Sequence, residues 1–165
     1  MATPTTLPAE FVAGTILTAA EQNDLRGAFR VLQVVSANTP NGSGTTISTA
    51  TYTATGLTAT ITPQSNTSKI LVMVSQPNRK SNANAGTEVQ SRLYRGATAV
   101  DTNATLSTCY TGTAIDLRIM ASLSYLDSPA TTSATTYTMY GSANIGTASF
   151  DYFSSGSMTL MEISA

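Results

Sequence analysis

The side chains that usually carry catalysis are scarce in this sequence. Its 165 residues include no histidine and one cysteine, Cys109, beside nine aspartates and glutamates. Without histidine, a serine or cysteine nucleophile lacks the base that usually activates it. Zinc sites built from histidines or from pairs of cysteines are excluded for the same reason. We therefore predict that the protein is not an enzyme and that it has no catalytic residues, no metal site and no cofactor.

Carboxylates remain as a source of acid–base chemistry, because a pair of them can hydrolyse a glycosidic bond. The Asp101-Thr-Asn103 stretch begins like a calcium loop, but the later glycine and glutamate of such a loop are missing. Most other acids fall at predicted strand ends or turns, where carboxylates usually cap turns or stay solvated. We interpret them as structural: Glu88, Asp116, Asp127, Asp151 and Glu162.

Aromatic side chains are concentrated in one tract, YTMYGSANIGTASFDYF, at residues 137–153. Tyrosine and phenylalanine rings in a glycine-rich loop can stack on sugar rings or anchor a protein contact. Packing in the core or at a subunit interface is the alternative interpretation. The candidate recognition residues are Tyr140, Phe150, Tyr152 and Phe153.

The charge and hydropathy of the chain exclude two classes of partner. Charged residues make up 10% of the sequence and the formal net charge is −1, so no basic field attracts nucleic acid. The longest apolar run, KILVMV at 69–74, is far shorter than the ~20 residues that a membrane-spanning helix needs. A single cysteine excludes an internal disulfide and indicates folding in a reducing cytoplasm. We expect Cys109 to be a buried apolar residue.

The elements that must position these residues are predicted to be strands. The chain is rich in threonine, which favours sheet because it is β-branched. DLRIMASLSYL (116–126) alternates apolar and polar residues, as in a strand with one face in the core. KILVMV predicts a central strand covered on both faces, TISTATYT (46–53) a further strand, and QPNRKSNANAG (76–86) a long polar loop. About nine short strands bounded by turn residues predict a mainly β fold, an antiparallel sandwich of jelly-roll-like type.

One short helix is predicted before the strands. Thr18-Ala-Ala-Glu21 has the spacing of a capping box, and Gly27 follows as a plausible stop. This divides the chain into an N-terminal arm with its helix (1–30) and a sandwich domain (31–165). Charged side chains often protect exposed sheet edges from pairing, and this chain has few of them. We therefore predict an oligomer of identical copies that cover these edges. We expect the apolar side chains that contact neighbours to include Met73, Met120 and Met139.

Two stretches resemble virion proteins of tailed bacteriophages. The front pattern "v-x-G-x-x-L-T-A-A-x-x-N" is carried by Val12, Gly14, Leu17, Thr18, Ala19, Ala20 and Asn23. The course from GLTATITPQSNTSKILVMV through RLYRGATAV to SMTLMEI is similar to β-sandwich knobs of fibres and to head decorations. Its "L-x-E-I"-like tail is formed by Leu160, Met161, Glu162 and Ile163.

The resemblance implies a non-enzymatic virion structural protein, a fibre or capsid decoration protein. It implies a homotrimer, made in the host bacterial cytoplasm and attached to capsid or tail proteins through its N-terminal segment. The alternative is a carbohydrate-binding module or adhesin tip that recognises a host surface glycan through residues 137–153. The candidate attachment residues are Phe11, Val12, Ile16, Leu17, Leu25 and Phe29.

Overall fold

The computed structural model describes residues 31–81, 84–100 and 106–164 of the chain, and these form eleven β-strands. The strands are β1 (Val31–Asn38), β2 (Thr45–Ile47), β3 (Thr53–Ile61), β4 (Lys69–Lys80), β5 (Glu88–Arg95), β6 (Thr98–Ala99), β7 (Leu106–Tyr110), β8 (Leu117–Asp127), β9 (Thr135–Ala143), β10 (Ala148–Phe150) and β11 (Ser157–Ile163). The predicted N-terminal helix and the proposed 1–30 arm lie outside the described residues.

The strands form two sheets whose paired strands are all antiparallel. Sheet A has the order β1-β11-β4-β10-β2, with β8 on the other side of β4. Sheet B has the order β3-β9-β5-β6, with β7 also on β5. β4 is the longest strand and pairs along its whole length with β8. Its opposite edge is shared by β11, at residues 69–75, and β10, at residues 78–80.

A hydrophobic core between the sheets confirms the predicted antiparallel sandwich. Sheet A contributes alternate residues of β4 and β11, and sheet B contributes alternate residues of β3, β5 and β9. The main cluster contains Leu57, Ala59, Ile61, Ile70, Val72, Val74, Leu93, Tyr137, Met139, Met158 and Leu160. Cys109 is buried, as predicted, in a second cluster with Val89 and Phe150.

The alternation in 116–126 is confirmed. In β8, Ala121 is buried, and Leu123 and Tyr125 pack against the main core cluster. Ser122, Ser124 and the other intervening residues are exposed on the opposite face.

Three predicted elements are wrong. Residues 48–52 interrupt the strand predicted at 46–53, because β2 pairs within sheet A and β3 within sheet B, so the chain crosses between sheets there. Residues 76–80 are strand rather than loop, because the inward side chains of Gln76, Asn78 and Lys80 find hydrogen bonds inside the sandwich. Within the described residues β4 is covered on one face only, and Met73 on its outer face is 37% exposed.

Of the three methionines predicted to contact neighbouring copies, Met139 does not face outward. It lies on the inner face of β9 and is fully buried in the main core cluster. Met73 and Met120 do lie on the outer face of sheet A and are exposed. Strand parity explains the difference, because successive side chains of one strand point to opposite faces.

Candidate functional site

The outer face of sheet A carries a row of apolar side chains across four strands. The pairing registers join Val34 to Met161, Met161 to Leu71, and Leu71 to Leu126. Val34 is 54% exposed and Leu126 is 50% exposed, and the two residues between them are partly buried. We call these four residues the apolar row.

The rest of that outer face has no charge over most of its length. Charged residues on β4 and β8 occur only at the two ends of the face, Lys69 at one and Arg79 with Arg118 at the other. Between these ends the outward residues of the four strands are hydroxyl, amide, proline or apolar residues: Val34, Ser36, Asn38, Leu71, Met73, Ser75, Pro77, Met120, Ser122, Ser124, Leu126, Ser157, Thr159, Met161 and Ile163. The outer face of sheet B differs, since it carries Glu88 and Arg92.

An arginine–aromatic cleft lies at the end of sheet A opposite the apolar row. Its charged group has two guanidiniums and one carboxylate. Arg79 donates through Nε and Nη2 to Asp116 Oδ2 at 2.9 and 2.6 Å, and Arg118 Nε lies 3.5 Å from Asp116 Oδ1. The hydrogen bond from Arg79 holds the pKa of Asp116 below its usual value, and the same bond raises the pKa of Arg79. Arg79 and Asp116 therefore both stay ionised near neutral pH.

Two aromatic rings face this charged group. The Arg118 guanidinium lies 3.6 Å from the centroid of the Phe153 ring, and the Arg79 guanidinium lies 5.3 Å from it. Tyr152 packs edge-to-face on Phe153 with ring centroids 4.7 Å apart. Both rings are exposed, at 48% for Tyr152 and 42% for Phe153. Cation–π contact fixes the orientation of the Arg118 side chain.

The cleft is large enough for a small ligand. Its volume is about 260 Å³, and Pro77 and Met120 on the outer face supply apolar wall. Ser154 adds a hydroxyl group at its edge. Apolar walls with a few convergent polar groups are the usual composition of a ligand site.

A second aromatic cluster lies on the outer face of sheet B. The rings of Tyr94 and Tyr140 stack with centroids 4.1 Å apart and an interplanar angle of 30°. Beside them, Arg92 lies 4.4 Å from the centroid of Tyr52, whose hydroxyl donates to Gln90 at 2.7 Å. This cluster is a planar patch on a sheet.

The four predicted recognition residues are therefore divided among three places. Tyr152 and Phe153 lie together in the cleft, and Tyr140 lies on the outer face of the other sheet. Phe150 is fully buried, with its ring packed against Gly141, where a Cβ would lie only 2.2 Å from the ring. Phe150 thus belongs to the core and offers no surface to a ligand.

The sequence analysis missed the charged half of the cleft. Arg79 falls in the stretch predicted as a polar loop, and Asp116 and Arg118 fall at polar positions of the predicted strand at 116–126. The sequence does place Asp116 and Arg118 at alternate positions on the polar face of one predicted strand, and it places Arg79 next to Lys80. Only the β4–β8 register, which pairs Arg79 with Arg118, joins these residues. The predicted attachment residues Phe11, Val12, Ile16, Leu17, Leu25 and Phe29 lie outside the described residues.

Buried polar groups elsewhere are engaged in holding the fold. Lys80 is fully buried, and its Nζ donates to the carbonyls of Asn84, Thr113 and Ile115 at 2.9, 3.1 and 3.4 Å. Asp127 accepts hydrogen bonds from Tyr137 at 2.6 Å and Arg95 at 2.7 Å. Burial, reinforced by Asp127, raises the pKa of Tyr137 well above that of a free tyrosine.

Two other kinds of site are absent from the described ranges. No group of three or more acidic, histidine or cysteine side chains is placed to hold a metal ion within residues 31–81, 84–100 and 106–164. Over the same residues, no helix has the length and apolar content to cross a membrane.

Comparison with known proteins gives a likeness of fold. No family model matches the sequence, and no curated protein matches it. Among solved structures, the chain is similar to a chain in the structure of infectious bursal disease virus, Gx strain, with 12% identity, a TM-score of 0.53, and coverage of 78% of this chain and 32% of the other. The Gt strain structure gives 9% identity, a TM-score of 0.45, and coverage of 81% and 38%. The chain thus spans about a third of the length of these virus proteins, and at such identity the likeness shows the fold alone.

Proposed function

We propose that this protein is a non-enzymatic structural component of a virus particle. The observation that carries the proposal is the sandwich itself, which is similar over 78% of the chain to a chain of a virus structure at a TM-score of 0.53. The scarcity of catalytic side chains in the sequence is in keeping with such a role. The resemblance of the front and tail motifs to tailed-bacteriophage virion proteins narrows the proposal to a fibre or capsid decoration protein.

The apolar row supports self-association as part of this function. Exposed apolar patches on a sheet face attract a complementary surface, and identical copies usually provide it through closed symmetry. The uncharged stretch beside the row removes the desolvation penalty that charged groups would add on contact. We therefore propose a homo-oligomer, in keeping with the trimers of the similar phage proteins, in which the apolar-row end of sheet A faces a neighbouring copy.

We also propose that residues 1–30 attach the protein to capsid or tail. Val31, where the described chain begins, pairs with Ile163, and Ile163 pairs with Lys69 at the apolar-row end of sheet A. The arginine–aromatic cleft lies at the other end of β4, where Arg79 is roughly 33 Å from Lys69 at the usual rise per residue. Attachment at the N-terminal end would therefore leave the cleft on the distal side.

A truncation tests the attachment directly. The full chain and a variant lacking residues 1–30 are each produced in cells that also make the particles, and the particles are then purified by density gradient. We expect the full chain to sediment with particles and the truncated chain to remain in the soluble fraction. Circular dichroism with a β-sheet signature provides the folding control. Particle association by the truncated chain, or its absence for the full chain, would contradict the proposal.

A second candidate function is recognition of a host surface glycan. The observation that favours it is the exposed Tyr152–Phe153 pair in a cleft of about 260 Å³. A glycan array separates the two functions, because a free-standing lectin keeps its binding without residues 1–30. A purely structural protein binds no glycan with or without them.

A further inference from the structure

The arginine–aromatic cleft carries an uncompensated positive charge. Arg79 and Arg118 supply two guanidinium groups, and Asp116 supplies the one carboxylate that contacts them. Among the described residues the sum is one net positive charge, and the other charged side chain of this outer face, Lys69, lies at its far end. A ligand with one negative charge would complete the balance.

Arg118 is the group placed to meet that ligand. Asp116 occupies Nε and Nη2 of Arg79 but touches Arg118 only through Nε, at 3.5 Å. The terminal amino groups of Arg118 have no hydrogen-bond partner within the described part of the chain, and its side chain is 57% exposed. Because Phe153 lies 3.6 Å from the guanidinium carbon, the fork is held with its edge available. An oriented guanidinium edge suits a carboxylate, which it binds through two parallel hydrogen bonds.

The surroundings of Arg118 indicate the rest of the ligand. Tyr152 and Phe153 present exposed rings, and Pro77 and Met120 present apolar wall, so one side of the ligand must offer apolar C–H surface. Ser154 supplies a hydroxyl group at the edge for a hydroxyl partner. A sugar ring has both kinds of surface. A phosphomonoester carries nearly two charges at neutral pH and would be under-compensated by one net positive charge.

We propose that this cleft binds a saccharide bearing a carboxylate, with Arg118 holding the carboxylate and the Tyr152–Phe153 pair contacting the sugar ring. This inference rests on the second candidate function, glycan recognition, and names its ligand class. The position of the cleft, at the end of sheet A away from Val31, leaves it open when the other end is attached.

The test uses pairs of saccharides that differ only in whether C6 of each sugar residue is a carboxylate or a hydroxymethyl group. Galacturonate oligosaccharides and the matching galactose oligosaccharides are such a pair. The full chain is titrated with each and followed by ligand-observed saturation-transfer NMR. We expect the acidic member to bind about tenfold more tightly, and the preference to weaken when the salt concentration is raised from about 0.05 to about 0.5 M.

Two variants locate the preference. Arg118→Gln should abolish the preference for the acidic member, and Phe153→Ala should weaken binding of both members. Arg92→Gln is the matched control, because Arg92 also stacks on an aromatic ring, Tyr52, but on the opposite face of the sandwich. It should leave binding unchanged.

The outcomes distinguish the carboxylate inference from glycan recognition in general. Equal binding of acidic and neutral members, or a preference retained by Arg118→Gln, overturns the carboxylate inference while glycan recognition stands. Absence of binding to either member overturns both. Loss of the preference in Arg92→Gln would place the site on sheet B and would also overturn the inference.

Discussion

At the scale of single residues, Asp151 is an acid held in place by the fold. It follows β10 directly, has a φ of 60° and is 1% exposed. Its backbone N–H donates to the carbonyl of Pro77 at 2.9 Å, and its Oδ2 accepts from Gln76 Nε2 at 2.8 Å. Burial raises the pKa of the Asp151 carboxyl, and the bond from Gln76 offsets only part of that rise. Asp151 fixes the turn that leads into Tyr152 and Phe153.

We expect Asp151→Asn to change how stability depends on pH. Because the folded pKa is raised, the native state favours the protonated acid, and Asp151 lowers stability progressively as pH rises through the folded pKa. The amide keeps the acceptor for Gln76 and tolerates positive φ. The variant should therefore become progressively more stable relative to wild type as pH rises above ~4, the ordinary pKa of an aspartate. Urea unfolding at each pH measures the difference.

Asp116→Asn is the matched comparison with the opposite sign. The pKa of Asp116 is lowered by Arg79, so its contribution is present above its usual pKa and is lost as pH falls. Its variant should lose stability relative to wild type as pH rises. A pH-independent difference between Asp151→Asn and wild type would contradict the assignment of a buried, ionisable Asp151.

At the scale of elements, strand β11 connects neighbouring parts of the fold through one buried acid. It lies between β1 and β4, and its inward residue Glu162 is fully buried. The Glu162 carboxylate accepts from Gln33 Nε2 at 2.6 Å and from the backbone N–H of Gln64 at 2.7 Å. It therefore ties β1 and the turn after β3 to the centre of sheet A. The glutamate of the "L-x-E-I"-like tail, which the sequence analysis gave as part of a resemblance, thus has a structural role in this chain.

We expect Glu162→Ala to lower the free energy of unfolding by about 3 kcal/mol, because it leaves the Gln64 N–H and the Gln33 amide without their acceptor. Glu162→Gln keeps one acceptor oxygen and should lose roughly half as much. Chemical denaturation of both variants is the measurement. Equal stability of Glu162→Ala and wild type would show that water replaces the carboxylate.

At the scale of the whole molecule, charge is distributed unevenly between the two outer faces. Sheet A presents the apolar row and an uncharged stretch, whereas sheet B presents Glu88 and Arg92 beside hydrogen-bonded threonine pairs. Thr58 pairs with Thr138 and Thr60 with Thr136 through their hydroxyls. These exposed side chains therefore have hydrogen-bond partners within sheet B as well as in water. This asymmetry makes sheet A the face expected to meet another copy.

We expect Leu126→Asp to weaken self-association without unfolding the chain. Leu126 is 50% exposed at the end of the apolar row, so an aspartate there is tolerated by the monomer but is desolvated in an interface. Sedimentation equilibrium at protein concentrations up to on the order of 100 µM should show oligomers for wild type and a shift toward monomer for the variant. Thr60→Asp, on the outer face of sheet B, is the control and should leave association unchanged. A monomeric wild type would refute the interface.

Strand patterns predicted much of the fold because side-chain alternation is a local property. Residues 116–126 alternate in sequence and in the structure, and the two-sheet sandwich followed from short strands separated by turns. The same logic failed at residues 76–80, where three polar side chains point inward. Their placement depends on partners distant in sequence, such as Ser91 and Asp151, that no local pattern reveals.

Composition and residue order determined that this chain forms sheets and is poor in catalytic groups, because the threonine content, the alternation of apolar and polar residues and the lack of histidine are properties of the sequence. The tertiary structure decided which surfaces exist. Aromatic residues of one tract lie in three places: the core, the outer face of sheet B and the cleft. Arg79 and Arg118 are 39 positions apart in the sequence and are neighbours only because of the β4–β8 register. Strand pairing sets that register by long-range hydrogen bonds, and shifting it by one residue would turn every side chain to the other face.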